Sequence, residues 1–416
     1  MANLRERLNR MMGEASPRQP QEPQPREAGA SNTALWAAQS GAEEQVEPEV
    51  EARGAEPGRG AERKAASAAE PGYRVLEAVF PAYHCHGCAP VRGALEHLAP
   101  LLWESGVTPR PGPAVYLDTE TTGLSTGAGV MAFLIGLGWF EGDSFRVRQY
   151  FLSQPAGEEA MLAELLPLVR EAGLLVSFNG RSFDVPMLRS RLALNRMREP
   201  LDAPHLDLLY PARRMWKLRL RQCNLTRLEE QTLDFAREGD VDGAEIPGLY
   251  FAYLRDGDEG RLAAVFEHNR LDILALAALA GRMGANLDRP ELAGEELDQF
   301  SLGRMYQRQG DAARAERCYR RAEGCSRQDY ALLLKRQGRM AEAEMRWRAM
   351  VEAGQGGIAP MVELAKYYEH RLRDYAGALA WTRRALETDP DERGELRRRE
   401  SRLQRKINDG GNALWG

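Results

Sequence analysis

A chain of 416 residues exceeds one ordinary hydrophobic core, so two or three domains are expected. Hydrophobic residues make up 43% and charged residues 28%, and no apolar run nears the roughly 18–20 residues of a membrane-spanning helix, so no membrane partner is expected. A net charge of −5 argues against a protein that coats nucleic acid by global attraction, while leaving room for a local basic groove.

Residues 1–72 are poor in aromatic and β-branched side chains and rich in Ala, Glu, Pro, Gly and Arg, which predicts a disordered tail with room for a short helix over Leu4–Met12. The N-terminus, Met1-Ala-Asn-Leu-Arg-Glu-Arg, lacks the apolar core of a secretory signal. Five cysteines are an odd number and form no disulfide framework, so a reducing, cytoplasmic setting is expected. His84-Cys85-His86-Gly-Cys88 has the Cys-x-x-Cys spacing of a zinc ligand pair. No second cysteine pair follows at a finger-like distance, and the expected reading is a stretch packing over a sheet.

From Tyr73 to about residue 285 the pattern is α/β. Val115-Tyr-Leu is a short strand, Val130–Phe140 a second, and Phe145–Leu152 a third after the hairpin turn Glu141-Gly-Asp. Glu158–Glu171 is a helix, Leu174–Phe178 a buried strand, Val185–Asn195 a helix, and His205–Leu209 a further strand. A meander followed by helix-alternating strands predicts a mixed sheet with flanking helices.

Residues 290–408 are helical throughout and self-similar. Leu302, Gly303, Tyr306, Gly310, Ala315, Tyr319 and Ala322 have tetratricopeptide (TPR) spacing, and Gly338, Ala343 and Trp347 restate the register 28 residues later. Leu364, Tyr368, Ala378, Ala385 and Pro390 make a third unit. Three repeats are near the minimum for a solenoid, so this one is expected to lean on the α/β domain and to bind a protein partner.

The residues suited to chemistry lie in three places. Asp118 and Glu120 end the first strand, where alternation puts both carboxylates on one side. Asp184 follows Phe178-Asn-Gly-Arg-Ser-Phe at a helix start, a position that on its own suits a helix cap equally well. His268 and Asp272 stack at i and i+4 on a helix. Four converging carboxylates repel one another unless divalent cations bind, and Mg²⁺ or Mn²⁺ suits such oxygen donors. Two such ions would support phosphodiester hydrolysis, with His268 taking the proton from the attacking water.

The basic run Arg213, Arg214, Lys217, Arg219, Arg221 and Arg227, with Trp216 inside it, suits single-stranded nucleic acid through phosphate contacts and base stacking. Asn179, Arg181 and Ser182 beside Asp184 are further contact candidates. Asp207 could serve as a substitute ligand, but is read as a strand-end residue that orients a neighbouring loop.

In this order the motifs resemble the DEDD superfamily of 3′–5′ exonucleases. Thr119-Glu-Thr-Thr-Gly-Leu, Phe178-Asn-Gly-Arg-Ser-Phe-Asp, His205-Leu-Asp-Leu and Glu267-His-Asn-x-x-Asp, with Lys366-Tyr-Tyr-Glu-His-Arg-Leu-Arg-Asp-Tyr, look like the YprB-type ribonuclease H-like family over residues 73–390. The resemblance implies a ribonuclease H-like domain (73–285, core 113–281) that binds metal through Asp118, Glu120, Asp184 and Asp272, with His268 as base at the spacing where these exonucleases carry tyrosine. It also implies a nuclease acting on DNA or RNA. The alternatives are a nucleic-acid-binding module with little turnover and a protein-interaction scaffold.

Overall fold

The computed structural model describes residues 50–51, 72–123, 129–198, 201–389 and 393–412. The segment Leu4–Met12 with room for a short helix, nearly all of the expected disordered tail, and Pro390 lie outside them. The one correction to the tail is Val50–Glu51, a two-residue strand (β1) paired antiparallel with β2 (Arg74–Pro81).

The main sheet has seven strands in the order β1-β2-β7-β6-β5-β8-β9. Here β5 is Ala114–Thr121, β6 Ala132–Glu141, β7 Ser144–Phe151, β8 Leu174–Ser177 and β9 His205–Asp207. The β2, β7, β6 and β5 neighbours are antiparallel, whereas β5–β8 and β8–β9 are parallel. The expected mixed sheet is therefore present. The antiparallel part changes to the parallel part at β5, the strand that carries Asp118 and Glu120. Strand β2 was not foreseen; it alternates only over Ala78 and Phe80, which are buried beside exposed Val79. Strand β9 ends at Asp207, because Leu209 already opens a helix. A small hairpin, β3 (Cys85–His86) with β4 (Ala89–Pro90), precedes two short helices, α1 (Gly93–Glu96) and α2 (Leu98–Ser105).

One face of the sheet is covered by α3 (Glu158–Glu171), α4 (Asp184–Leu194) and α7 (Ile246–Asp256). Their core takes Val115 and Leu117 of β5, and the Phe133 ring of β6 stacks on Tyr250 at 4.1 Å between centroids. The opposite face carries α8 (Ala263–Asp288), which is apolar on every side from Ile273 to Gly281 because sheet, α1 and α2 surround it. Each of its fully buried leucines stabilises the fold by roughly 1.5–3 kcal/mol relative to exposure. Glycines set how closely α8 approaches. A Cβ at Gly138 of β6 would lie 2.5 Å from Ile273, and one at Gly136 would lie 2.4 Å from Asn269 Oδ1. Those two glycines bring the N-terminal half of α8 against the sheet.

Helix α5 (Leu209–Leu220) leads from β9, and α6 (Leu225–Leu228) runs into a wider π-type turn at Glu229–Leu233. Seven further helices follow: α9 (Glu296–Arg308), α10 (Ala312–Arg321), α11 (Glu323–Arg336), α12 (Met340–Glu352), α13 (Ala359–Tyr367), α14 (Tyr375–Thr388) and α15 (Arg393–Asn412). Consecutive helices pack on one another. Gly310 and Gly338, at φ of 80° and 79°, close the α9–α10 and α11–α12 turns. Glu296 reaches the Gly324 amide and Lys335 reaches Glu363, so residues 28 apart join successive hairpins. In the third hairpin a π-type turn at Tyr368–Leu372 replaces the glycine turn. There buried Glu369 accepts from Arg399, Arg402 and Lys406 of α15 at 2.9–3.0 Å.

The helical region and the sheet share a continuous core. At the junction Arg219 of α5 pairs with Asp298 of α9 at 2.9 Å, and buried Glu104 of α2 takes Arg214 and Arg308 at 2.6 and 2.9 Å.

Candidate metal centre

Alternation along β5 assigns the first two carboxylates. Val115 and Leu117 point into the core beneath α3, α4 and α7, and Tyr116 points into the core beneath α8. Asp118 follows Tyr116 to that side and accepts a hydrogen bond from Asn269 Nδ2 at 2.8 Å. Asn269 is fully buried, accepts from Gln149 Nε2 at 2.9 Å, and fits because Gly136 lacks a side chain. Gln149 also donates to the Phe266 carbonyl at 2.8 Å, which completes a polar chain from β7 through α8 to β5.

Asp184 opens α4, and Thr119, on the other side of β5, donates to its Oδ1 at 2.5 Å. The loop ahead of it is held by Asp207, whose oxygens accept from the backbone N–H groups of Asn179 (2.8 Å), Arg181 (3.1 Å) and Leu209 (3.1 Å). Asp207 is thus the loop-orienting residue expected of it. Asn179 takes φ of 64°, and Gly180 passes so close that a Cβ would lie 2.4 Å from Ser177 Oγ and 2.9 Å from Asp184 Oδ2.

Asp272 and His268 come from one face of α8. Glu120, His268 and Asp272 each offer a ligand atom, and the three atoms lie within 4.8 Å of one another. His268 Nε2 is 3.7 Å from Glu120 and 3.5 Å from Asp272, while its Nδ1 faces Asp240 Oδ1 at 2.6 Å.

The four carboxylates sense each other. Burial, then Asp272, Glu120 and Asp184, hold the Asp118 carboxyl well above its ordinary range. Burial and Asp272 push Glu120 up to about 7. Burial raises Asp184 to about 6 against the Thr119 hydrogen bond. Asp272 is also raised by burial, although Arg237 and His268 pull it back. Burial draws His268 down, but Asp272, Glu120 and Asp240 outweigh it and leave it raised. A cavity of about 310 Å³ opens beside Asp118, Glu120, Asp184, Asn179 and the half-exposed ring of Phe183.

This donor set fits a divalent cation. It is rich in carboxylate oxygen, includes one imidazole, and carries more negative charge than the single guanidinium of Arg237 offsets.

Three ingredients lacked a sequence signal. Arg237 lies on an irregular loop after the π-type turn, with its side chain only 2% exposed, and its guanidinium contacts Asp272. Glu229, fully buried, holds the same guanidinium at 2.8 Å. Asp240 sits on that loop. Asn269 and Thr119 were within quoted motifs but had no role assigned, and two glycines two apart in an apolar strand were the available hint of close helix approach.

The basic run is largely structural. Trp216 is 1% exposed in the core, so base stacking by its ring is ruled out. Arg214 is spent on Glu104 and Arg219 on Asp298. Arg213 and Lys217 are exposed on α5, outside the cavity lining. Arg181 donates to the His205 carbonyl at 2.9 Å and lies over the Tyr210 ring, and Ser182 is exposed at the loop tip.

The side chains of the zinc-like segment go to separate partners. His86 meets Glu229 at 2.7 Å, the His84 ring packs on Phe80, Cys85 donates to the Tyr83 carbonyl, and Cys88 donates to the Thr232 carbonyl. None of them belongs to a metal-ligand cluster among the described residues.

Residues 115–284 match the model of the RNase_H superfamily. The chain is 30% identical over 355 residues to the uncharacterized protein YprB of Bacillus subtilis (strain 168), covering 80% of this chain and 86% of that protein. The chain belongs to the YprB family. A family B DNA polymerase from Pyrobaculum calidifontis is similar in structure with a TM-score of 0.34 and 14% identity, over 48% of this chain and 30% of the polymerase. The YprB match spans 355 residues, so this chain and YprB share more than the RNase_H segment of residues 115–284.

Proposed function

We propose that this chain is a metal-dependent nuclease, a 3′–5′ exonuclease-like phosphodiesterase acting on DNA or RNA. One observation carries the reading: Asp118 and Glu120 of β5 and Asp184 of α4 line a single cavity, and Asp272 of α8 offers a ligand atom within 4.8 Å of Glu120. RNase_H superfamily membership supports it.

In this reading the four carboxylates hold Mg²⁺ or Mn²⁺, two cation positions in all. The chemistry such ions supply is stabilisation of the charge developing on a phosphodiester and activation of a water. Asn269 and Thr119 keep Asp118 and Asp184 from swinging away. His268 acts as general base through Nε2 when neutral, with Nδ1–H donated to Asp240, which is a positioning residue. Phe183 offers its exposed ring to a terminal base, and Asn179 and Ser182 offer polar groups to the strand. The TPR-like hairpins of residues 290–408 recruit a protein partner, and the free thiols of all five cysteines suit the cytoplasm.

The alternative, a nucleic-acid-binding module with little turnover whose repeats do the main work, draws on the Arg237–Asp272 contact, which engages one expected ligand. End-labelled single- and double-stranded DNA and RNA, incubated with Mn²⁺ or with chelator, decide between them. Degradation by wild type that is lost in Asp118→Ala supports the nuclease; equal background in both removes it.

A further inference from the structure

Arg237 is placed unlike a surface arginine. It is anchored from behind by Glu229, at 2.8 Å and with no exposed side-chain surface. Glu229 is also held by His86 at 2.7 Å, whose ring packs on Phe235 at 4.0 Å between centroids. In front, the guanidinium touches Asp272 Oδ1, lies 3.3 Å from Asp240 Oδ2, and is 3.4 Å from His268 Nδ1. It therefore enters the carboxylate cluster from the Asp272 side, backed by a buried acid that fixes its position. The loop bearing Arg237 also carries Gly243, which borders the cavity.

A buried guanidinium stays charged at any working pH and pairs with carboxylate through directed hydrogen bonds. Asp118 and Asp184, by contrast, are met by neutral donors, Asn269 and Thr119. The direct contacts of the built-in positive charge are thus with Asp272, His268 and Asp240.

We propose that Arg237 is a resident cation of the cluster that fills one of its two cation positions, so that the chain takes up a single divalent ion. This rests on reading the cluster as a metal site. It makes Arg237 a positioning residue that sets metal stoichiometry, and it gives Glu229 the task of holding that charge in place.

The test counts Mn²⁺ bound to the full, chelator-stripped chain, by calorimetric titration and by the electron paramagnetic resonance signal of free Mn²⁺. Wild type is expected to bind one ion. The double variant Glu229→Gln/Arg237→Gln removes two buried charges together and leaves an amide pair, and it is expected to bind two. Glu229→Gln alone keeps the guanidinium on Asp272 and is expected to stay at one. Circular dichroism verifies that each variant is folded. Two ions in wild type overturn the proposal while leaving the metal site standing, a result that needs no variant. One ion in both wild type and a folded double variant also overturns it. No ion in any of the three proteins overturns the metal reading itself.

Discussion

Replacing Glu120 with Gln removes one charge from the crowded cluster while keeping the side chain's shape, and is expected to stabilise the metal-free protein. The Glu120 side chain is 13% exposed, and burial with Asp272 and Asp184 lifts its pKa from 4.5 to about 7, against the pull of His268 and Arg237. At about 1.4 kcal/mol per unit, holding this group ionised costs on the order of 3 kcal/mol. The folded state binds the proton more tightly than the unfolded chain. The penalty is therefore present in full above pH 7, declines as pH falls through 7, and vanishes below the ordinary glutamate value. Thermal unfolding in chelator at pH 8 should show Glu120→Gln melting several degrees above wild type. By pH 5 most of that advantage should be gone. Adding Mn²⁺ should reverse the order, because wild type alone keeps the full ligand set. A variant that melts lower at pH 8, or whose advantage does not shrink with acid, refutes the argument that these carboxylates are held together against repulsion.

Gly136→Ala places a Cβ 2.4 Å from Asn269 Oδ1, so Asn269 must release Asp118 or Gln149. A loss of about 1–3 kcal/mol in urea unfolding is expected, together with weaker Mn²⁺ binding. Asp240→Asn removes a carboxylate that raises His268, so the acid limb of the nuclease pH–rate profile should move lower; an unmoved limb would detach His268 from the chemistry. Glu369, lowered to about 2 by its hydrogen bonds with Arg402 and Lys406 in spite of burial, contributes stability that is complete above pH 4.5 and lost as pH falls through 2. Glu369→Gln should weaken docking of α15 by about 1–3 kcal/mol, read as faster proteolytic clipping within Arg393–Asn412.

The parts of the site that follow a regular backbone period were legible before any coordinates. Two-residue alternation put Asp118 and Glu120 on one side of β5, and four-residue helical spacing put His268 above Asp272. The mixed sheet and helical C-terminal region were likewise readable from where period two gave way to helical period. Strand β2 escaped because, near the sheet's edge, only Ala78 and Phe80 of its side chains are buried. Trp216 misled because an amphipathic helix carries arginines on one face and core on the other, and the run of letters does not say which. Arg237 and Asp240 lie on a loop without periodicity, and their partner Glu229 sits in a π-type turn, so their meeting with α8 depends wholly on the three-dimensional path.

The account stands on cations gathering Asp118, Glu120, Asp184 and Asp272. Crystals soaked in Mn²⁺ and measured at the manganese absorption edge test this directly. The expected result is an anomalous peak bounded by those four side chains, absent from crystals of Asp118→Ala. A map with no peak there, or with manganese bound only elsewhere on the chain, contradicts the account.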